Sequence, residues 1–338
     1  IKAAEALFGA VAINGRLPVS VSEQFKAGKG IDLKSLSRLG YSKPERVGMS
    51  SFKLRKVDTL VQDGLDSLMY PGAQVLVARK GKVIYHKNFG KPTYKSADSI
   101  TSDHIYDLAS LTKILATLPT IMKMEEEGKI SLNNTFGELI PEYALTELKD
   151  VTVLKALSHY GRLPSWIAFY LSTLNKNRKP SIEFYRSSPG NGFSTKVTDG
   201  LFLADAYQDS IYNRIGRQSL KSNRYRYSDV PYYVFKKYIE ESLGSTLDAL
   251  TYRGIYKPLG ANYTGYRPLA TVDKKLIVPS EIDNYFRYQT VQGYVHDMGA
   301  AMQGGVGGHA GLFGNANDVA KIMQMYLQGG YYGGDRFI

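Results

Sequence analysis

Apolar residues in the first half of the chain fall into two rhythms. After Ser50 they recur at Leu54, Val57, Leu60, Val61 and Leu65. Steps of three and four put these side chains on one face of a helix. Ser50 or Ser51 is a suitable cap, and Tyr70-Pro71-Gly72 ends the pattern near Leu68. Residues 74–78 and 82–88 read instead as two strands around Lys80-Gly81, which predicts a β-hairpin. Helical spacing returns at Leu111, Ile114, Leu115, Leu118, Ile121 and Met122. A buried helix opened by Ser110 is expected there, kinked at Pro119 and stopped near Gly128.

Later segments are less regular. Residues 131–260 read mostly as helices and loops, with one helix over about 232–243. The polar stretch 172–200 holds Pro180, Pro189, Gly190 and Gly192, and is expected to be a long surface loop shaping a cleft. Residues 301–316 are glycine-rich, and Asn317 is expected to cap a last helix reaching Leu327. Residues 1–43 stand apart. They combine a short apolar piece, Ala3 to Ala12, with the turn at Asn14-Gly15, an extended stretch after it and a loop at Gly28-Lys29-Gly30. That segment is too short to bury a core of its own. A hairpin, a helical insertion and a return to the sheet make an α+β design. It sets the start of the first buried helix at a boundary between sheet and helix.

That start carries the candidate chemistry. Ser110-Leu111-Thr112-Lys113 places a serine and a lysine three residues apart, so on a helix they share a face. A serine hydroxyl needs a neighbouring base to become a nucleophile. Lysine can be that base only as a free amine, which burial and the positive end of a helix both favour. An uncharged Lys113 is therefore expected. The S-x-x-K pattern is the nucleophile signature of penicillin-recognising serine enzymes, and four residues alone specify little.

Composition narrows the partners. The 338 residues suffice for one large domain or two ordinary ones, and 43% hydrophobic with 22% charged residues is ordinary for a globular protein. No apolar run is long enough for a transmembrane segment. The net charge of +12 is scattered, with Lys176, Arg178, Lys179 and Lys221, Arg224, Arg226 the nearest to clusters. No nucleic-acid partner is expected; the scatter reads as a solvated basic surface, with anionic envelope polymers or a substrate carboxylate as the alternative. Cysteine is absent, which excludes disulfides, thiolate metal sites and a cysteine nucleophile. His296, Asp297 and His309 lack the spacing of a helical zinc site, so no metal and no cofactor are expected.

Seven segments in order carry a resemblance. They are Pro71-Gly72-Ala73, Asp107-Leu108-Ala109-Ser110-Leu111-Thr112-Lys113, Glu126-Glu127-Gly128-Lys129-Ile130, Leu157-Ser158-His159, Tyr227-Ser228-Asp229, Pro258-Leu259-Gly260 and Gly308-His309-Ala310-Gly311-Leu312-Phe313. Together they resemble the serine β-lactamase-related enzymes, which include class C β-lactamases, D-alanyl-D-alanine carboxypeptidases and esterases. The resemblance covers residues 44–338 and implies one serine hydrolase domain, an antiparallel sheet flanked by helices with a mainly helical subdomain. Residues 8–20 resemble the end of a family 3 glycoside hydrolase, which implies a β-N-acetylglucosaminidase domain upstream of a 1–43 remnant and linker.

By that resemblance Ser110 is the acylating nucleophile, Lys113 its base or proton relay, and Tyr227 a second base. The Ser110 amide would be half of an oxyanion hole. Asp229 would bind substrate where many relatives carry asparagine. An aspartate accepts hydrogen bonds and repels anions, which favours an ester or another amide over a β-lactam. His309 is open between a loop residue beside the site and the third motif of the family. On the first reading the chain stops before that motif and before the last sheet strands. The implied substrate is a small or peptidoglycan-derived acyl donor, handled through an acyl-enzyme in the periplasm or cell envelope. A non-catalytic module that binds muropeptides or glycans for the fused glycosidase is the alternative.

Overall fold

The computed structural model describes residues 2–338. The chain folds as α+β, in two compact units. One comprises Ile1–Ser102, Leu259–Ala261 and Ala316–Ile338; the other comprises Asp103–Pro258 and Asn262–Asn315.

The first unit is built on the hairpin. Strands Gly72–Arg79 and Lys82–Gly90 pair antiparallel, and Lys80 and Gly81 both take left-handed backbone at φ 52° and 69°. Two such residues make the tight turn whose twist matches the flanking strands. The register slips between Val77 and Ala78, a bulge that the alternation did not announce. Gly40–Tyr41 adds a short parallel strand at Lys82 and Val83. Helix Ser51–Asp66 starts where its spacing predicts, with Ser50 Oγ accepting the Lys53 amide. Its Asp58 accepts from Tyr85 Oη and Lys87 Nζ, both at 2.7 Å, which fastens the helix to the hairpin. Helix Ala316–Leu327 is tied to the other strand, its first amide donating to Gln74 Oε1 at 3.0 Å. Of the leading apolar piece only Lys2–Leu7 is helical. The extended stretch after Asn14-Gly15 forms no strand. The bridge Ile13 to Leu33 precedes it, Leu17 exchanges backbone hydrogen bonds with Lys29 and Gly28, and Val19 and Val21 are exposed, so its pairing stays too short and uncovered for a strand.

In the second unit, strand Leu312–Gly314 runs between Tyr106–Asp107 and Gly265–Tyr266, antiparallel to both. Ile105, Ile277 and Phe313 form a buried cluster beside it. Helices Tyr207–Gly216 and Val230–Leu243 bury Ile211, Ile215, Val234, Phe235 and Ile239. The stretch expected as one long loop holds a second sheet instead: Tyr185–Arg186, Thr195–Thr198 and Leu201–Leu203. Buried Tyr185, Val197 and Leu203 anchor it, and these isolated apolar positions are too widely spaced to read as strands in a polar sequence.

The helix after Ser110 corrects another expectation. Helical backbone begins at Leu111, makes a π-type turn over Lys113–Thr117 and continues as the α-helix Leu118–Glu126. Pro119 sits just after the wide turn, where its missing amide costs no α-helical bond. The extra residue rotates the register. Leu111, Ile114 and Met122, expected inside, are exposed, while Leu115, Ala116, Ile121 and Met124 are buried.

Candidate active site

The strand Tyr106–Asp107 turns into this helix through Ala109, which is held at φ 46°. Left-handed backbone is costly for a residue with a Cβ and persists only where its surroundings enforce it. Asp107 is the enforcing group. Its Oδ1 accepts the Ala109 amide at 2.8 Å and its Oδ2 accepts the His296 amide at 2.6 Å. Burial pushes the Asp107 carboxyl up, against the pull of the His296 and Ala109 amides. Ser110 emerges from this turn on the exposed side.

Lys113, 3% exposed, reaches back to it. Its Nζ donates to Ser110 Oγ at 2.9 Å and to the His309 carbonyl at 3.2 Å, and lies 2.7 Å from Asp229 Oδ1. The contact with Asp229 has ion-pair distance without hydrogen-bond alignment. This carboxylate is a partner that the expectation from burial alone did not include. Tyr227 and Tyr232 turn ring faces to the same nitrogen, at 5.1 and 5.4 Å. Burial pushes the Tyr232 hydroxyl up to about 12, and Tyr227 and Asp229 add to it.

Tyr227, Ser228 and Asp229 are set by the 159–165 segment. The Asp229 amide donates to Ser165 O, Ser228 Oγ donates to Pro164 O, and the Ser228 amide meets His159 Nδ1 at 3.3 Å. The His159 ring lies 4.6 Å from that of Tyr227. Burial holds the His159 imidazole below its usual range, the Lys113 charge does the same, and Asp229 opposes both.

The glycine-rich loop closes the other side. Leu312 donates to Thr112 Oγ1, and Thr117 Oγ1 donates to Gly308 O at 2.6 Å. Gly308 is required by packing, since a Cβ there would lie 2.2 Å from Tyr232 O. His309 is a buried loop residue, stacked on Tyr233 at 4.4 Å with its Nε2 2.8 Å from Asp297 Oδ1. Burial pushes the Asp297 carboxyl up, but the His309 charge and hydrogen bond and the Ala300 amide outweigh it and hold the group well below the carboxylate range.

The cluster therefore joins Ser110, Lys113, Asp229 and the ring of Tyr227. Among the described residues the Tyr227 hydroxyl has no hydrogen-bond partner, so its contact with Lys113 is through the ring face. No group of metal-ligating side chains occurs among the described residues. Sequence reasoning gave no role to Asp107, His159 or Asp297. Asp107 and His159 stand in the motif segments, while Asp297 drew notice only as a metal candidate; no local pattern announces a carboxylate that buttresses another segment's backbone.

The profile of the family described as Beta-lactamase matches residues 57–336. The chain belongs to that family. This beta-lactamase-family chain is 27% identical over 318 residues to an Escherichia coli (strain K12) protein named "Putative D-alanyl-D-alanine carboxypeptidase", a match covering 86% of this chain and 68% of that one. A Salmonella typhimurium protein of the same name is 28% identical over 315 residues, with the same coverage. Among solved structures, an octameric penicillin-binding protein homologue from Pyrococcus abyssi shares the fold at TM-score 0.60 and 20% identity, covering 84% of this chain and 58% of that one. FmtA from Staphylococcus aureus does so at 0.55 and 18%, covering 86% and 67%. The chain thus spans 58% to 68% of the length of these longer relatives. The family match leaves residues 8–20 outside it.

Proposed function

We propose that residues 44–338 are a serine hydrolase domain acting through an acyl-enzyme on a peptidoglycan-type peptide or an ester. One observation carries this: a buried lysine amine donates to the hydroxyl of an exposed serine at the mouth of a strained turn. Ser110 Oγ attacks the acyl carbonyl as its proton passes by way of Lys113 to the leaving alcohol or amine. The carbon–heteroatom bond breaks and leaves the acyl group on Oγ. Water then attacks the acyl-enzyme, the acid departs and the proton returns to Oγ. The short contact with Asp229 steadies Lys113 at Ser110, and Tyr227 serves as the second proton carrier once its hydroxyl turns toward the amine. The Ser110 amide, at the helix start, offers one oxyanion donor.

The names of the carboxypeptidase relatives support a cell-wall peptide as substrate and the cell envelope as the place of work. The upstream glycosidase partner belongs to the same proposal and rests on residues 8–20 alone. No observation favours the non-catalytic binding module.

A burst of nitrophenol from p-nitrophenyl acetate, stoichiometric with protein and lost in Ser110→Ala, is the expected result. A steady rate without a burst, equal in wild type and Ser110→Ala, contradicts the proposal.

A further inference from the structure

Asp229 directly precedes helix Val230–Leu243, where an aspartate ordinarily accepts one of the first helical amides. It does not do so here: its side chain makes no cap, and the Val230 amide goes to Ser228 Oγ at 3.2 Å. The carboxylate is turned elsewhere. Its Oδ1 is sealed from solvent against Lys113 Nζ, yet the side chain as a whole is 23% exposed. The exposure therefore belongs to the rest of the group, and Oδ2 has no hydrogen-bond partner among the described residues. One oxygen is occupied by the catalytic amine. The other is not sealed from solvent, and the group stands two contacts away from Ser110 Oγ.

An unsealed carboxylate oxygen can only accept. It rewards a donor on the substrate and repels a carboxylate. We propose that Asp229 Oδ2 makes this site select acyl donors carrying an ammonium group next to the scissile carbonyl, such as aminoacyl esters or peptides with a free amino group beside the cleaved bond. This rests on Ser110 acylation as proposed above. A substrate ammonium supplies Oδ2 with a donor, while Lys113 Nζ already lies at Oδ1. A neutral acyl group leaves Oδ2 to water, and an anionic one meets repulsion. A hydrogen bond to a charged group at a partly buried site corresponds to about tenfold in kcat/KM or more.

The test compares the p-nitrophenyl esters of D-alanine, N-acetyl-D-alanine and propionic acid below the pKa of the D-alanine amine. Each kcat/KM is divided by the spontaneous hydrolysis rate of the same ester. Wild type is expected to favour the D-alanine ester over both others by about tenfold, and Asp229→Asn to reduce that preference to about threefold or less. The wild-type preference is informative even if the variant fails to fold. Acylation of Ser110 by all three esters with no preference overturns the inference and leaves the acyl-enzyme reading standing. A preference kept in full by folded Asp229→Asn overturns it as well. Absence of acylation by any ester removes the reading on which it rests, and the inference with it.

Discussion

The hairpin Gly72–Gly90 and the turn at Ala109–Thr117 are both sharp reversals of backbone, and they are built in opposite ways. In the hairpin, strand-forming residues flank Lys80-Gly81, and only Lys80 adopts a conformation that its side chain disfavours. The turn carries an alanine at φ 46° and a π-type winding, with Pro119 just beyond, and is held by one near carboxylate and by groups distant in sequence. Asp107 grips it from within, His296 and Leu312 from elsewhere in the unit. Where local preference and structure agree, the segment serves the fold. Where they disagree, the surroundings hold a reactive group in place.

Substitutions should separate the two regions. The largest effect is expected at Lys113. Lys113→Met removes the proton relay and leaves the sealed Asp229 Oδ1 without its partner, so the acylation rate with p-nitrophenyl acetate should fall by about 100-fold to 1,000-fold. A fall under threefold would put the chemistry elsewhere. Asp107→Asn comes next. An amide can accept only one of the two backbone donors and presents a donor to the other. Loosening the turn should lower kcat by about tenfold to 100-fold with KM within about twofold, because position rather than binding is lost. An equal loss through KM would make Asp107 a substrate contact.

Asp297 gives a pH-dependent contrast. Its carboxyl lies below the ordinary range in the fold, so the stability it contributes is full above the unfolded carboxylate pKa of about 4 and is lost as pH falls through the lower folded value. Urea midpoints of wild type should therefore drop more steeply on acidification below pH 4 than those of Asp297→Asn. Parallel curves would mean that His309 does not hold the carboxylate ionised. The smallest effect belongs to the hairpin. Lys80→Gly relieves a left-handed lysine at the cost of unfolded-chain entropy, so thermal unfolding should shift by no more than about 1 kcal/mol of stability, with turnover unchanged. A turnover loss there would end the division between the two regions.

What the sequence made legible follows the same line. Helix Ser51–Asp66, the hairpin and helix Val230–Leu243 obey local rules and lie within a few residues of expectation. The meeting of Ser110 and Lys113 was readable because three-residue spacing survives the irregular helix start. The buried face beyond Lys113 was not, since the π-type turn shifts register with no mark in the apolar pattern. Nor was the partner of Lys113: burial argued for a free amine and was silent on the carboxylate that the structure places beside it from a segment 116 positions away. The small sheet at 185–203 escaped because two-, three- and four-residue strands carry too little alternation to stand out from polar surroundings.

The account stands on one reactive oxygen. Wild type and Lys113→Met should each be treated with a fluorophosphonate, digested, and the modified residue located by mass spectrometry. The expected result is a single adduct on Ser110 in wild type that is strongly reduced in Lys113→Met. An adduct on another residue, or equal labelling of Ser110 in both proteins, would contradict it.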